Sequence, residues 1–186
     1  ALPISFRDPD DAMRLVQVRD WLAGQFFFDV SQHRVNPPHG GPMHWSRIVD
    51  MPIAGLILLL RPLLGAASAE LIACIAVPLL LLGGLVAFIA ARPIAGSAVA
   101  LVVVILLLTS PSILVQFAPL RIDHHGWQIL LAGVALMGAF DGRPARGGVI
   151  AALALATWLQ ISSEALPYTA LFAGLFALRH WIDRAQ

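Results

Sequence analysis

Between Glu70 and Arg92 the chain runs through 21 residues, Leu71 to Ala91, without one charged side chain. An α-helix of that length, at about 1.5 Å per residue, crosses the roughly 30 Å hydrocarbon layer of a bilayer. With no water in that layer, every backbone N–H and C=O must be satisfied inside the segment, which a helix does. A helical membrane protein is therefore expected before any motif is considered. Composition agrees: 59% apolar and 12% charged residues, with a mean hydropathy of +0.81, exceed what a soluble domain carries. The 12 basic residues, all Arg, are balanced by 11 acids to a net charge of +1. No basic excess is left to neutralise a row of phosphates, so nucleic acid is excluded as a main partner. Cys74 is the single cysteine and lies in an apolar run, which excludes an internal disulfide framework and a cysteine-rich metal site. Starting at Ala1 and ending directly after a hydrophobic segment, the sequence reads as a piece of a longer chain.

The remaining charges divide the chain. Residues 1 to 50 hold six Asp and five Arg, so a water-facing head is expected there, with an amphipathic helix through Met13, Val16 and Leu22 followed by a Pro/Gly-rich loop. The segment Met51 to Gly65 has only 15 residues, includes Arg61 and Pro62, and would reach about 23 Å. It is read as an interfacial or re-entrant helix. Beyond Leu71 to Ala91, a second span between Arg92 and Arg121 should kink or stop near Pro111. A third is expected over His124 to Phe140, and two short ones over Gly147 to Leu178, turning at Ile161 to Pro167. The expected fold is all-α: a polytopic transmembrane helix bundle of about five spans over residues 69–186, preceded by an extracytoplasmic N-terminal loop segment over residues 1–68. With Met51 to Gly65 not crossing, Arg92, Arg143, Arg146, Arg179 and Arg184 fall on one side, and the Asp-rich head, Asp123 and Glu164 on the other. The positive-inside rule makes the arginine side cytoplasmic. An aromatic belt is expected from Trp45, Trp127 and Trp158 at the outer interface and Trp181 at the inner one.

Chemistry is then sought on the outer face, where Asp8-Pro9-Asp10-Asp11, Asp123-His124-His125 and Glu164 should converge. Carboxylates with one or two imidazoles suit a divalent cation such as Mg²⁺ or Mn²⁺. Each group also has a structural role open to it. Asp8 can cap a helix with Pro9 in its first turn and Asp10 and Asp11 favoured by the helix dipole, and Asp123 can cap the helix that begins at the histidines. At such a junction Asp123 and His125 can turn to one ion while His124 points elsewhere. Glu164, beside Ser162, Ser163 and Pro167, reads first as a solvated turn residue. His33, His39 and His44 lie in a loop too rich in Gly and Pro to argue for zinc. Arg34, Arg47 and Arg121 are the outer-face cations, able to hold an anionic head group or diphosphate, or to pair with Asp29, Asp50 and Asp123.

The order of these features resembles a known family. Asp8-Pro9-Asp10-Asp11-Ala12-Met13-Arg14-Leu15-Val16, a Pro/Gly loop into Pro42-Met43-His44-Trp45, and Asp123-His124-His125 two spans later are similar to the N-terminal membrane half of the oligosaccharyltransferase catalytic-subunit family. That family is a branch of the GT-C-type glycosyltransferases, and the likeness is greatest to its archaeal and bacterial members. The resemblance covers residues 6 to 168. It implies Asp8, Asp123 and His125 as metal ligands, with Asp8 and Asp123 at the catalytic centre. It also implies a polyprenyl-phosphate-linked sugar as donor and a place in a bacterial inner membrane. The family carries aromatics where this chain has Asp10 and Asp11. From a different class comes the alternative of a non-catalytic transmembrane subunit packed against other membrane subunits.

Overall fold

The computed structural model describes residues 4–91 and 96–185. Eight α-helices account for most of them: α1 (Pro9–Leu22), α2 (Arg47–Leu64), α3 (Ala66–Ala91), α4 (Ser97–Thr109), α5 (Pro111–Leu114), α6 (His125–Ala139), α7 (Pro144–Ile161) and α8 (Leu166–Ala185). Ser31–Gln32 (β1) and Gly41–Pro42 (β2) form a minimal antiparallel pair that closes the Pro/Gly loop. Arg92 lies outside the described residues, so its expected place on the arginine side has no structural counterpart here; the same holds for the side chain of Arg184.

Two helices are long and apolar enough to cross a membrane, α3 and α7. Together α4 and α5 qualify as a third if the break between them belongs to one span; their axes diverge by 71° where Pro111 follows the extended Ser110. Pro111 cannot continue the hydrogen bonding of α4, and the chain turns at the expected place. At 15 residues α6 is apolar but short, reaching about 22 Å. The last turns of α8 carry Arg179 and His180. Two or three helices thus meet the length and composition for crossing, where five spans are expected from the sequence.

The head packs on the first half of α3. Gly65, with φ +78°, turns the chain sharply between α2 and α3, a backbone position suited to glycine. Ile53, Ala54 and Ile57 of α2 then bury against Ala73, Cys74 and Val77 of α3, with Leu15 and Val18 of α1 laid over them. Leu58, Leu59 and Leu63, on the other side of α2, are exposed, so α2 buries one face and leaves an apolar one uncovered. Further along α3, Leu85 and Ile89 meet Ala100 and Leu107 of α4 and Phe117. On α6 and α7, Ala135, Ala154, Leu155 and Trp158 form a third cluster.

Glycine sets the closeness of α6 to α7. A Cβ on Gly138 would stand 2.8 Å from the amide nitrogen of Ala151 and from the carbonyl oxygen of Gly147, and one on Gly147 would meet the Gly138 backbone. Backbones approach this closely only where side chains are absent. One end of this pair bears Arg143 and Arg146, the latter paired with Asp141, and Arg179 donates to the carbonyl of Ala139 at 3.3 Å. His125 opens the opposite end of α6. Arg143, Arg146 and Arg179 are thus a helix length away from Asp123.

The tryptophans arrange themselves differently from a lipid-facing belt. Trp45 is 7% exposed beneath the guanidinium of Arg14, and Trp158 is 4% exposed and stacked on Tyr168. Trp181, in contrast, is fully exposed in character.

Gly147→Ala should lower the thermal unfolding temperature of the detergent-solubilised chain, with a cost of about 1–3 kcal/mol from overpacking. Gly148→Ala, one residue on and with open space around its would-be Cβ, should be neutral or stabilise by up to about 1 kcal/mol through helix propensity. Equal effects of the two would contradict the α6–α7 packing.

Candidate functional site

Asp8 caps α1, accepting from the Asp10 N–H at 2.9 Å, with Pro9 as the first helical residue. The helix therefore starts as the sequence indicates. Its buried face, however, is Asp11, Arg14, Leu15, Gln17 and Val18, a stripe that includes three polar residues and leaves Met13 and Val16 only half-buried. Charge faces inward because the partners supply opposite charge and hydrogen bonds.

Asp11 is 2% exposed and bonds entirely to the segment before α6. One oxygen, Oδ1, accepts from the backbone N–H groups of Ile122 and Asp123, both at 2.9 Å. The other accepts from Arg121 at 3.0 Å. Burial pushes the Asp11 carboxyl above its ordinary range, more than Arg121 lowers it. One turn along α1, Arg14 is 1% exposed. It donates to Asp50 at 2.9 Å, lies 3.6 Å from Asp123, and stacks its guanidinium over Trp45 at 4.8 Å. Burial likewise raises Asp50, opposed by Arg14 and Arg47.

Asp123 is 3% exposed. Its Oδ1 lies 2.5 Å from His124 Nδ1, and its Oδ2 lies 2.7 Å from His125 Nδ1. An ionised carboxylate only accepts, so each ring presents an N–H to it. His124 does not point elsewhere: the two rings stack with centroids 4.5 Å apart, both turned to the same carboxylate. His124, the residue before α6, has helical backbone angles (φ −75°, ψ −14°), and its ring and that of His125 both reach the carboxylate of Asp123, which directly precedes them. Nor does Asp123 act as a helix cap, since the imidazoles take its oxygens. Gly126 lets this turn sit against the chain before it; a Cβ there would be 3.1 Å from the carbonyl oxygen of Gln116. Burial alone would raise the Asp123 carboxyl, but the hydrogen bonds from His124 and His125 overcome it and hold it well below the usual carboxylate range.

Arg121 joins the two halves. Its Nη1 donates to Asp8 at 2.5 Å and to Asp11 at 3.0 Å, its Nε to Gln116 at 3.2 Å, and its Nη2 lies 3.9 Å from Asp123. Asp8 and Asp123 therefore stand on either side of one guanidinium. The backbone N–H of Asp10 and the Arg121 guanidinium hold the Asp8 carboxyl below its ordinary value. Glu164, mostly exposed, accepts from Gln128 at 2.8 Å and lies 3.7 Å from His124 Nε2, so it borders the group rather than marking an isolated turn.

The other two expected cations are placed differently. Arg47 is buried and donates to the carbonyls of Gln17, Phe27 and Asp29 and to the Gln25 amide oxygen, tying the loop after α1 to the start of α2; it also lies 3.5 Å from Asp50. Arg34 pairs with Asp20, at the far end of α1 from Asp8, at 2.7 Å. His33, His39 and His44 are exposed. The grouping of His, Cys, Asp and Glu able to hold a metal ion among the described residues is Asp123, His124 and His125, whose donor atoms lie within 4.8 Å of one another. That separation suits an ion with bonds of about 2.0–2.6 Å to each. Beside Asp8 and Arg121, a cavity of about 540 Å³ opens, lined also by Arg7, Gln116 and Pro119.

Arg14 and Gln128 are members that the sequence does not single out, and Asp11 and His124, expected there only as parts of their motifs, take direct roles. Asp11 and Arg14 did leave a signal, three residues apart on a helix whose apolar face they interrupt. No protein-family model, curated protein or solved structure matches this chain.

With its folded-state value below the ordinary 3.8, ionised Asp123 stabilises the fold at pH above about 4, and that contribution drains away as the pH falls further. The stability gap between wild type and Asp123→Asn, measured by thermal unfolding in detergent, should be wide at pH 7 and shrink below about pH 4. A gap unchanged down to pH 3 would contradict the carboxylate–imidazole bonding.

Proposed function

We propose that this chain is the donor-binding membrane part of a glycosyltransferase of the oligosaccharyltransferase-like GT-C type, drawing sugar from a polyprenyl-phosphate carrier. One observation carries the reading: Asp8 and Asp11 of the head meet Asp123 and its two histidines around a single arginine, although more than a hundred residues separate them. The donor set fits a divalent ion. Asp123 and His125 would hold Mg²⁺ or Mn²⁺ with Asp8 across from them, and His124 is close enough to join. Such an ion supplies charge neutralisation to a departing phosphate. The chain's own groups do the rest: Asp11 fixes the backbone of Ile122 and Asp123, Arg14 and Asp50 set the position of the carboxylate from behind, and Glu164 with Gln128 orients His124.

An amphipathic donor also needs an apolar channel next to the charges. A groove of about 230 Å³ lies between α3, α4 and α6, lined by Leu85, Val103, Leu107, Ile129 and Gly133 among others. Ile129 is one helical turn from His125, so the groove starts just below the charged group. In this reading α4 with α5, α6 and α8 complete a bundle of about five spans in a bacterial inner membrane. The arginine end is cytoplasmic and the head extracytoplasmic.

The second reading, a non-catalytic subunit that keeps this scaffold and packs against other membrane proteins, is favoured by Arg121. A guanidinium already pairs with Asp8 and Asp11, as a structural ion-pair knot would require. Isothermal titration of the detergent-solubilised chain with Mn²⁺ separates the two. Saturable binding, weakened at least tenfold in Asp123→Asn and in His125→Ala, is the expected result. Equal binding in all three proteins, or none in wild type, would remove the ligand assignment and leave the scaffold reading.

A further inference from the structure

A divalent ion placed among Asp8, Asp123 and His125 would meet a positive charge already there. Arg121 reaches three carboxylates, at 2.5 Å (Asp8), 3.0 Å (Asp11) and 3.9 Å (Asp123). Two cations a few ångströms apart repel strongly where burial lowers the dielectric response. Both Asp8 oxygens already accept, Oδ1 from the Asp10 N–H and Oδ2 from Arg121, so an ion at Asp8 has to share them with donors already in place. Apart from its ion pairs with the acids, the Arg121 side chain is held by Gln116, which bonds only Nε, and it lines the 540 Å³ cavity that opens beside Asp8. Asp11 keeps its two backbone bonds through Oδ1 whether or not Arg121 stays on Oδ2.

We propose that Arg121 is the resident counter-cation of this site, competing with the divalent ion for Asp8 and Asp123 and swinging into the adjoining cavity when the ion binds. The inference rests on the divalent-ion reading. It makes ion affinity a property of Arg121 as well as of the ligands: the arginine offsets part of the negative charge of the ion-free site and holds it together, at the expense of affinity. A site emptied of both would leave Asp8, Asp11 and Asp123 facing one another without that cation.

The test uses Mn²⁺ alone with the full chain in detergent. Arg121→Gln should bind Mn²⁺ at least tenfold more tightly than wild type. Affinity equal to wild type or weaker, in a variant that keeps its helical circular dichroism, overturns the proposal while leaving the ligand assignment in place. Absence of Mn²⁺ binding in both proteins ends both. A second measurement needs no variant: phenylglyoxal modification of Arg121, followed by peptide mass spectrometry with exposed Arg34 as reference. Saturating Mn²⁺ should accelerate modification of Arg121 several-fold and leave Arg34 unchanged; an unchanged Arg121 rate overturns the proposal even if Arg121→Gln does not fold.

Discussion

Asp11 places two buried backbone N–H groups and one guanidinium on a single carboxylate, and the rest of the site depends on that. The segment from Ala118 to His124 has no regular hydrogen-bonding ladder of its own, yet Ile122, Asp123 and His124 are buried. Buried amides without partners cost about 1–3 kcal/mol each. The head and α3 supply those partners: Asp11 takes Ile122 and Asp123, and the Cys74 carbonyl of α3 takes Leu120. Without these bonds the Asp-His-His turn would have no reason to sit against α1, and Arg121 would have no acids to bridge.

Behind Asp11 the network continues inward through Arg14, Asp50 and Arg47, all at most 3% exposed. Buried ion pairs seldom stabilise a fold more than well-packed apolar residues do, because desolvation offsets much of the attraction. Their usual return is specificity, and here they fix one arrangement of α1, α2 and the turn before α6. Acids and arginines alternate through this buried network, from Asp123 through Arg14 and Asp50 to Arg47.

Much of the architecture was legible because bilayer and helix physics leave large signatures. The 21-residue uncharged run marks α3, Pro111 marks the break after α4, and Asp8-Pro9 marks the start of α1. The meeting of the head acids with Asp123 was foreseen through the division of charge. The details within it were not. Inferring a buried face from apolar residues fails on α1, where Asp11 and Arg14 face inward because distant segments satisfy them, and Gln17 is buried beside them with its side-chain amide unpaired. At a loop-to-helix junction His124 is expected to point away from Asp123 and His125, but its ring bonds the Asp123 carboxylate beside it. Trp45 and Trp158 were read as interfacial by type, whereas packing under Arg14 and against Tyr168 buries them. For Asp11, Arg14 and Trp45 the deciding partner lies far away in sequence, whereas His124 and Trp158 are set by Asp123 and Tyr168 nearby.

The measurement that bears most directly on this account is amide hydrogen exchange at Ile122 and Asp123, residue by residue, in wild type and in Asp11→Ala. If the Asp11 carboxylate holds that turn, both amides are protected in wild type and exchange at least a hundredfold faster in the variant, while amides in the middle of α7 keep their rates. Rapid exchange at Ile122 and Asp123 in the wild-type protein would contradict it.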